Sequence, residues 1–269
     1  MQLTAGCHLT FEAQAPAPLI LMLRPRSGAS QTIIQENLHV TPDLAATEYF
    51  DLYGNACHRV LIAPGSWQIT TQVTAETADM VDVNLEAAFV PVQCLPDNVL
   101  HFLLPSRYCQ SDLLGELARE IVGGIESGYG QVDAIRRWIH NHIDYRYDTS
   151  DASTSAIDTE QTRQGVCRDF VHLGMALCRS LTIPARMVVG YLYQLDPMDL
   201  HAWFEAFVGD RWYSFDPTQP EPRGNRIAIA YGRDAADVAL ANQFGLVTLT
   251  EMQVWVQAAN DSTELTKSL

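Results

Sequence analysis

Apolar residues change their spacing once along this chain. Up to about residue 95 they come in short runs, Leu19–Leu23, Val60–Ile62, Trp67–Val73 and Ala88–Val92, separated by Pro, Gly and Asn/Asp. The stretch Trp67-Gln68-Ile69-Thr70-Thr71-Gln72-Val73-Thr74 alternates imperfectly but is rich in strong β-formers. Short strands at such intervals predict a β-sandwich N-terminal domain over residues 1–105. From Ser111 the period lengthens. Leu113, Leu117 and Ile121 recur every fourth residue after a cap-like Ser111. Val132, Ile135, Trp138, Ile139 and His142 mark a second amphipathic helix after the Gly-rich break at Gly128–Gly130. The polar, small-residue stretch from Asp148 to Thr162 reads as a loop.

Phe170, Leu173, Leu177 and Leu181 then form the apolar stripe of a helix that opens near Cys167 and is stopped by Ile183-Pro184. Strands follow at Arg186–Tyr193, around His201, around Asp216 and at Leu246–Gln257. Helices followed by an antiparallel strand run predict an α+β second domain over residues 106–269, entered through Pro96–Gln110.

Composition narrows the function classes. The chain has 269 residues, 47% hydrophobic and 18% charged, ordinary for a globular protein. A net charge of -15 argues against nucleic acid or an anionic membrane as partner, because both need basic patches. The longest early apolar run, Leu19–Leu23, is too short for a signal core or a membrane span, so the expected location is cytoplasmic. Six cysteines with wide, irregular spacing read as free, mostly buried thiols. No zinc spacing is legible among Cys and His, so a structural metal is not expected.

The candidate chemistry begins at Gly165-Val166-Cys167-Arg168-Asp169-Phe170, where a Gly-containing loop runs into the amphipathic helix. A helix N-terminus favours thiolate over thiol, which makes such a cysteine a nucleophile. Downstream come His201 on one strand and Asp216 at the end of the next. Cys, His and Asp on separate elements suit a thiol acyl-transfer triad. Gly209-Asp210 between the last two strands reads as a two-residue type II′ hairpin turn. With that turn Val208 opposes Arg211, and Phe204 and Ala206 oppose Phe215 and Tyr213. His201 then lies diagonally from Asp216 on the other face, roughly 7 Å away by backbone. A slip of one residue would put Asp216 on the wrong face.

These motifs, with Ile183-Pro184-Ala185-Arg186, Gly190-Tyr191, His201-Ala202-Trp203 and Phe215-Asp216-Pro217-Thr218, resemble the bacterial transglutaminase-like superfamily of candidate cysteine proteases. Gly232-Arg233-Asp234-Ala235-Ala236-Asp237-Val238 also resembles a signature of that family, and the likeness runs over about residues 111–258. It implies a papain-like core in which the Cys167 helix packs on the sheet bearing His201 and Asp216, with no obligatory cofactor. Cys167 is then the nucleophile, His201 the general base and acid, and Asp216 its orienter. The β-rich N-terminal part resembles the family's N-terminal domain. One departure is Arg168, where Gln is more usual.

The expected activity is acyl transfer from an amide of a peptide or protein substrate. Hydrolysis is favoured over transfer to a primary amine acceptor, because no amine site is legible. A non-enzymatic peptide- or protein-binding module is the rival reading. A redox-sensing thiol is a third, but Cys178 lies eleven residues along the helix, roughly 16 Å from Cys167. Cys178 itself reads as core, and His172 as a packing or surface residue. His140 and His142 flank a helix end without metal spacing. Trp203 either walls the site or packs. The main-chain N–H of Cys167 is a natural oxyanion donor. Gln161 matches the spacing of the oxyanion glutamine in papain-like proteases but is left outside the site because of its polar loop.

Overall fold

The computed structural model describes residues 1–28 and 30–258; residues 29 and 259–269, the latter the end of the expected second domain, lie outside the described residues. The N-terminal part is built of β1 (Gln2–Ala13), β2 (Ala17–Arg24), β3 (Gln31–Thr41), β4 (Thr47–Phe50), β5 (Ala56–Ile62) and β6 (Gly65–Thr77). β1 hides from a hydrophobicity scan because Thr, Gly and His interleave with Ala, Cys and Leu. Its odd positions are nevertheless all buried, as the twofold period of a strand requires. Leu9, Phe11 and Ile69 from one sheet meet Leu19, Leu21 and Ile62 from the other in a closed apolar layer. Ala88–Val92 is no strand: Ala88 makes one bridge to Gly128, and Val92–Cys94 is a 3-10 turn. Pro91 has no N–H to give to a ladder.

The second part runs α1 (Gly115–Val122), α2 (Tyr129–His142), β7 (Asp144–Tyr145), α3 (Ala156–Thr162), β8 (Gln164–Gly165) and α4 (Cys167–Ser180). It continues with β9 (Ala185–Leu192), β10 (His201–Val208), β11 (Arg211–Phe215) and β12 (Arg226–Gly232). The last four form an antiparallel sheet of order β11-β10-β9-β12. The architecture is therefore the expected α+β type. α4 is buried from Asp169 to Arg179, far more than a single apolar stripe, because sheet and helices enclose it. Two helix readings shift. Ser111 opens a 3-10 turn, and α1 buries Ala118 and Val122. The expected loop before the cysteine holds α3, capped by Ser155 with Asp158: Asp158 Oδ2 accepts from the Ser155 N–H at 2.8 Å.

The chain does not divide cleanly at residue 105. Its last strands, β13 (Ala241–Gln243) and β14 (Val247–Ala258), return to the N-terminal part. β14 pairs with β1 and β13 with β2, giving sheets of order β14-β1-β6-β3 and β13-β2-β5-β4. The reason is edge satisfaction: β1 would otherwise expose a long row of unpaired backbone groups. Among the described residues, no helix is long and apolar enough to cross a membrane.

The N-terminal part also covers the outer edge of β12. Gln31 bonds Ala228 twice, its Nε2 donating to the carbonyl at 2.9 Å and its Oε1 accepting from the N–H at 2.6 Å. Asn55 does the same at Tyr231, at 2.7 and 2.8 Å. Two side-chain amides thus act as a surrogate strand for backbone groups that would otherwise be buried unpaired.

Candidate active site

The hairpin register is as the sequence predicts, with Val208 opposite Arg211 and Phe204 opposite Phe215. The turn differs in type. Gly209 has φ 53° and Asp210 φ 73°. Two positive values belong to type I′ rather than II′, a conformation Asp tolerates better than most residues. Both types are two-residue turns, so the pairing is unchanged. On β9, Gly190 lies opposite His201 on one side and Ala228 on the other. A Cβ at Gly190 would run into the Ile227 carbonyl, so only glycine lets β12 approach there.

His201 and Asp216 meet in the interior. The imidazole Nε2–H donates to Asp216 Oδ2 at 2.7 Å, and both side chains are 2% exposed. That leaves the other ring nitrogen for the Cys167 side. Arg226 on β12 donates to the same Oδ2 at 3.0 Å. The N–H and hydroxyl of Thr218 donate to Oδ1 at 3.0 and 2.7 Å. Four donors saturate the carboxylate. Burial alone would raise the Asp216 pKa, but the charges of His201 and Arg226 and these hydrogen bonds hold it below the usual carboxylate range. Burial likewise works to lower the His201 pKa. The charge and hydrogen bond of Asp216, with the facing Cys167 sulfur, outweigh it and push the imidazole up to about 9. Trp203, buried, resolves toward packing that also shapes the site. Its ring lies 6.3 Å from that of His201, and the Arg226 guanidinium sits 5.0 Å from its centroid.

Cys167 is the first residue of α4 and is partly exposed. Asp169 holds the start of the helix, its Oδ2 accepting from the Val166 N–H at 2.9 Å. Gly165 is needed for this turn, since a Cβ there would lie 2.8 Å from Asp169 Cβ. Arg168, the departure from the family pattern, donates to buried Asp169 at 3.0 Å and to the Asp151 carbonyl at 2.6 Å. It ties the preceding loop to the helix start. β7 and β8 form a short parallel pair just ahead of the cysteine, with Tyr145 opposite Gly165.

The remaining candidates fall outside this group. Cys178 is fully buried core, and burial raises its thiol pKa strongly. His172 is buried too. It stacks on Tyr108 at 4.9 Å, and its Nε2 accepts from the Ala235 N–H at 3.2 Å. Burial, then Arg168 and Arg179, hold its pKa well below the usual histidine range, so it stays neutral. The Nδ1 atoms of His140 and His142 meet the carbonyls of Pro217 and Trp138 at 3.1 and 2.8 Å. Gln161 is exposed on α3. The Gly232–Val238 signature is structural. Asp234 accepts from the Tyr108 N–H at 3.0 Å, and Arg233 pairs with Asp237 at 2.9 Å. Sequence reading missed Arg226 altogether. The signal available was an arginine opening the short apolar run Arg226–Ala230, an unusual place for an unpaired charge.

Comparison with known proteins bears on the family and the fold. Residues 115–217 match the family model described as the transglutaminase-like superfamily. Residues 11–77 match that of the bacterial transglutaminase-like N-terminal region. The crystal structure of a candidate cysteine protease from Cytophaga hutchinsonii superposes with a TM-score of 0.89 at 39% identity, covering 96% of this chain and 91% of that one. An uncharacterized protein of Mycobacterium leprae is 28% identical over 230 residues, 81% of this chain and 82% of its own. Uncharacterized proteins of Mycobacterium tuberculosis are 30% identical over 115 residues, 37% of each chain.

Proposed function

The chain belongs to the transglutaminase-like superfamily, and from that premise we propose that it is a thiol-dependent acyl-transfer enzyme acting on amides. The observation that carries this reading is the buried His201–Asp216 hydrogen bond of 2.7 Å with the Cys167 sulfur facing the imidazole. Asp216 holds the ring in one orientation and stabilises its charge. The sulfur of Cys167 attacks the carbonyl carbon of a peptide or glutamine amide, and the C=O electron pair moves to oxygen. Collapse restores the carbonyl and breaks the C–N bond. The imidazolium gives its proton to the leaving nitrogen, which departs as an amine or ammonia, and a thioester remains. His201, now neutral, takes a proton from water, and hydroxide displaces the thiolate to give a carboxylic acid. A primary amine in place of water would give transamidation. Hydrolysis is the preferred outcome of this proposal, and a reducing, cytoplasmic setting suits its thiol.

The test is to incubate the protein with a glutamine-containing peptide, with and without a tagged primary amine, while following ammonia, free acid and tagged product. Ammonia with free acid, lost in Cys167→Ala, is the expected result. Tagged product as the main species would make the protein a transamidase. If peptide binds tightly and nothing turns over in the wild type, the protein is a binding module instead. A second measurement addresses the thiol itself: at pH near 6, iodoacetamide should alkylate Cys167 well ahead of Cys178, by mass spectrometry of the labelled peptides. Equal rates would remove the proposed nucleophile.

A further inference from the structure

The apolar layer between the two N-terminal sheets is interrupted at one end by charge. Strand alternation would keep apolar residues on the inner faces, but two β-bulges change the phase. On β3 the pairing with β6 shifts between Ile33 and Gln35, so Ile33 lies opposite Ala75 but Glu36 lies opposite Val73. Glu36 thereby joins Leu38 and Val40 on the inner face. On β2 the pairing with β5 shifts between Leu21 and Arg24. Arg24 then lies opposite Ala56, in step with the inward His58 and Val60. This arginine pairs with Glu36 and with Glu48 of β4, and His58 Nε2 lies 3.4 Å from Glu48 Oε2. Arg24, Glu36 and His58 line a cavity of about 330 Å³, floored by Leu23, Leu38 and Val73. That is the size of a small-ligand site. Two buried atoms of these side chains have no partner, Glu36 Oε2 and His58 Nδ1. His58 is only 8% exposed. With Nε2 turned to Glu48, the ring carries its proton there and leaves Nδ1 a lone pair. Burial outweighs the pull of Glu48 and holds the His58 pKa below the usual histidine range, so the ring stays neutral.

We propose that this cavity binds a small organic cation, a primary amine with a short apolar body, held at Glu36 and His58. The occupant must bring donors, because both unpartnered atoms are acceptors, and a buried acceptor left unmade is costly. It must also be positive. With His58 neutral, the carboxylates of Glu36, Glu48 and Asp43 around the cavity outnumber the single charge of Arg24. A carboxylate or phosphate finds no free cation here, since two glutamates already engage Arg24. A metal ion fits no better: among the described residues, no three His, Cys, Asp or Glu side chains gather as its ligands. An ammonium has three N–H groups for the two acceptors, and its carbon chain lies on Leu23, Leu38 and Val73. None of Cys167, His201 or Asp216 lines the cavity. Amine binding here is therefore independent of the acyl-transfer reading.

Three probes with the same apolar body separate charge from hydrophobicity: n-hexylamine, n-hexanol and hexanoate, each titrated into the full chain. Hexylamine should bind in preference to the other two. It should also shift the Nδ1 signal of His58 in nitrogen NMR spectra of the imidazoles, the signal being identified by its loss in His58→Phe. Glu36→Gln removes the charge of the accepting carboxylate and should weaken hexylamine on the order of tenfold, with circular dichroism unchanged. His58→Phe should weaken it in the same direction, and Cys167→Ala should bind it as the wild type does. Hexanol binding as tightly as hexylamine, or hexanoate binding more tightly, overturns the cationic assignment. Loss of hexylamine binding in Cys167→Ala, or full affinity in a folded Glu36→Gln, overturns the location. So does a His58 signal that stays still at saturating hexylamine, a readout that needs only the wild-type fold should the cavity variants fail to fold. Failure of all three probes to bind overturns the proposal outright and leaves the acyl-transfer reading untouched.

Discussion

The two sides of the site are built on different principles. His201 and Asp216 sit on a hairpin whose register follows from a two-residue turn, and every oxygen of the carboxylate is hydrogen-bonded before any substrate arrives. Cys167 sits where a short parallel pair ends and a helix begins, partly exposed, its surroundings assembled from α3, β7, β8 and the loop held by Arg168. The sheet side is a preorganised electrostatic unit in a dry interior, where each charge depends on its partner. The helix side positions one atom and leaves it reachable. Damage to the first should therefore appear in chemistry and stability together, and damage to the second mainly in chemistry.

The sharpest way to break this contrast is Asp216→Asn. The amide fills the same space but cannot stabilise an imidazolium, so amide turnover should fall on the order of 10³- to 10⁴-fold, measured with the glutamine peptide. Normal turnover would leave Cys167 needing another partner. Next in size is Arg226→Met, which removes the cation from a buried pair and should cost about 3–5 kcal/mol in urea unfolding. Cys167→Ala, on the helix side, should cost about 1 kcal/mol or less because the thiol is partly exposed. Equal losses would erase the distinction between the two sides.

pH sharpens the comparison further. His201 is raised to about 9, so its contribution is complete below the unfolded value near 6.5 and disappears as pH climbs through 9. Asp216 is depressed, so its contribution is complete above the unfolded carboxylate range and is lost only as pH falls through its low folded value. The wild-type free energy of unfolding in urea should therefore decline between pH 6.5 and 9, by about 3 kcal/mol, and His201→Ala should be flatter over that window. A midpoint that rises there would reverse the assigned charge state. A last effect, on stability alone, is at the domain contact. Gln31→Ala leaves the Ala228 N–H and carbonyl buried and unpaired and should cost about 1–3 kcal/mol while sparing amide turnover. A large loss of turnover would show that the N-terminal part sets the position of β12, and through Arg226 that of Asp216.

Local signals in the sequence were enough for the hairpin. The apolar partners Phe204/Phe215 and Ala206/Tyr213 admit one register, and that register alone puts Asp216 on the His201 face. The α4 stripe and the glycine before Cys167 were legible for the same reason, since periodicity and turn chemistry act over a few residues. α3 escaped because Ala156–Thr162 has no apolar period, and a capping box with a tight tertiary seat makes it helical instead. β12 and its Arg226 escaped because nothing within seven residues says that the arginine will find a carboxylate ten positions earlier in the chain.

What the sequence determined by itself is the set of local structures: the α+β succession, the cysteine at a helix start, and the histidine and aspartate on one face of a hairpin. The tertiary structure decided which distant pieces complete them. It sent β13 and β14 back to the N-terminal sheets, set Gln31 and Asn55 along the edge of β12, and brought the Cys167 sulfur to the His201 ring. The physical reason is the range of the forces. Backbone propensity, capping and hydrophobic period are written within one or two turns of chain. Pairing of buried charges and satisfaction of strand edges depend on groups far apart in sequence, which meet only when the whole core closes.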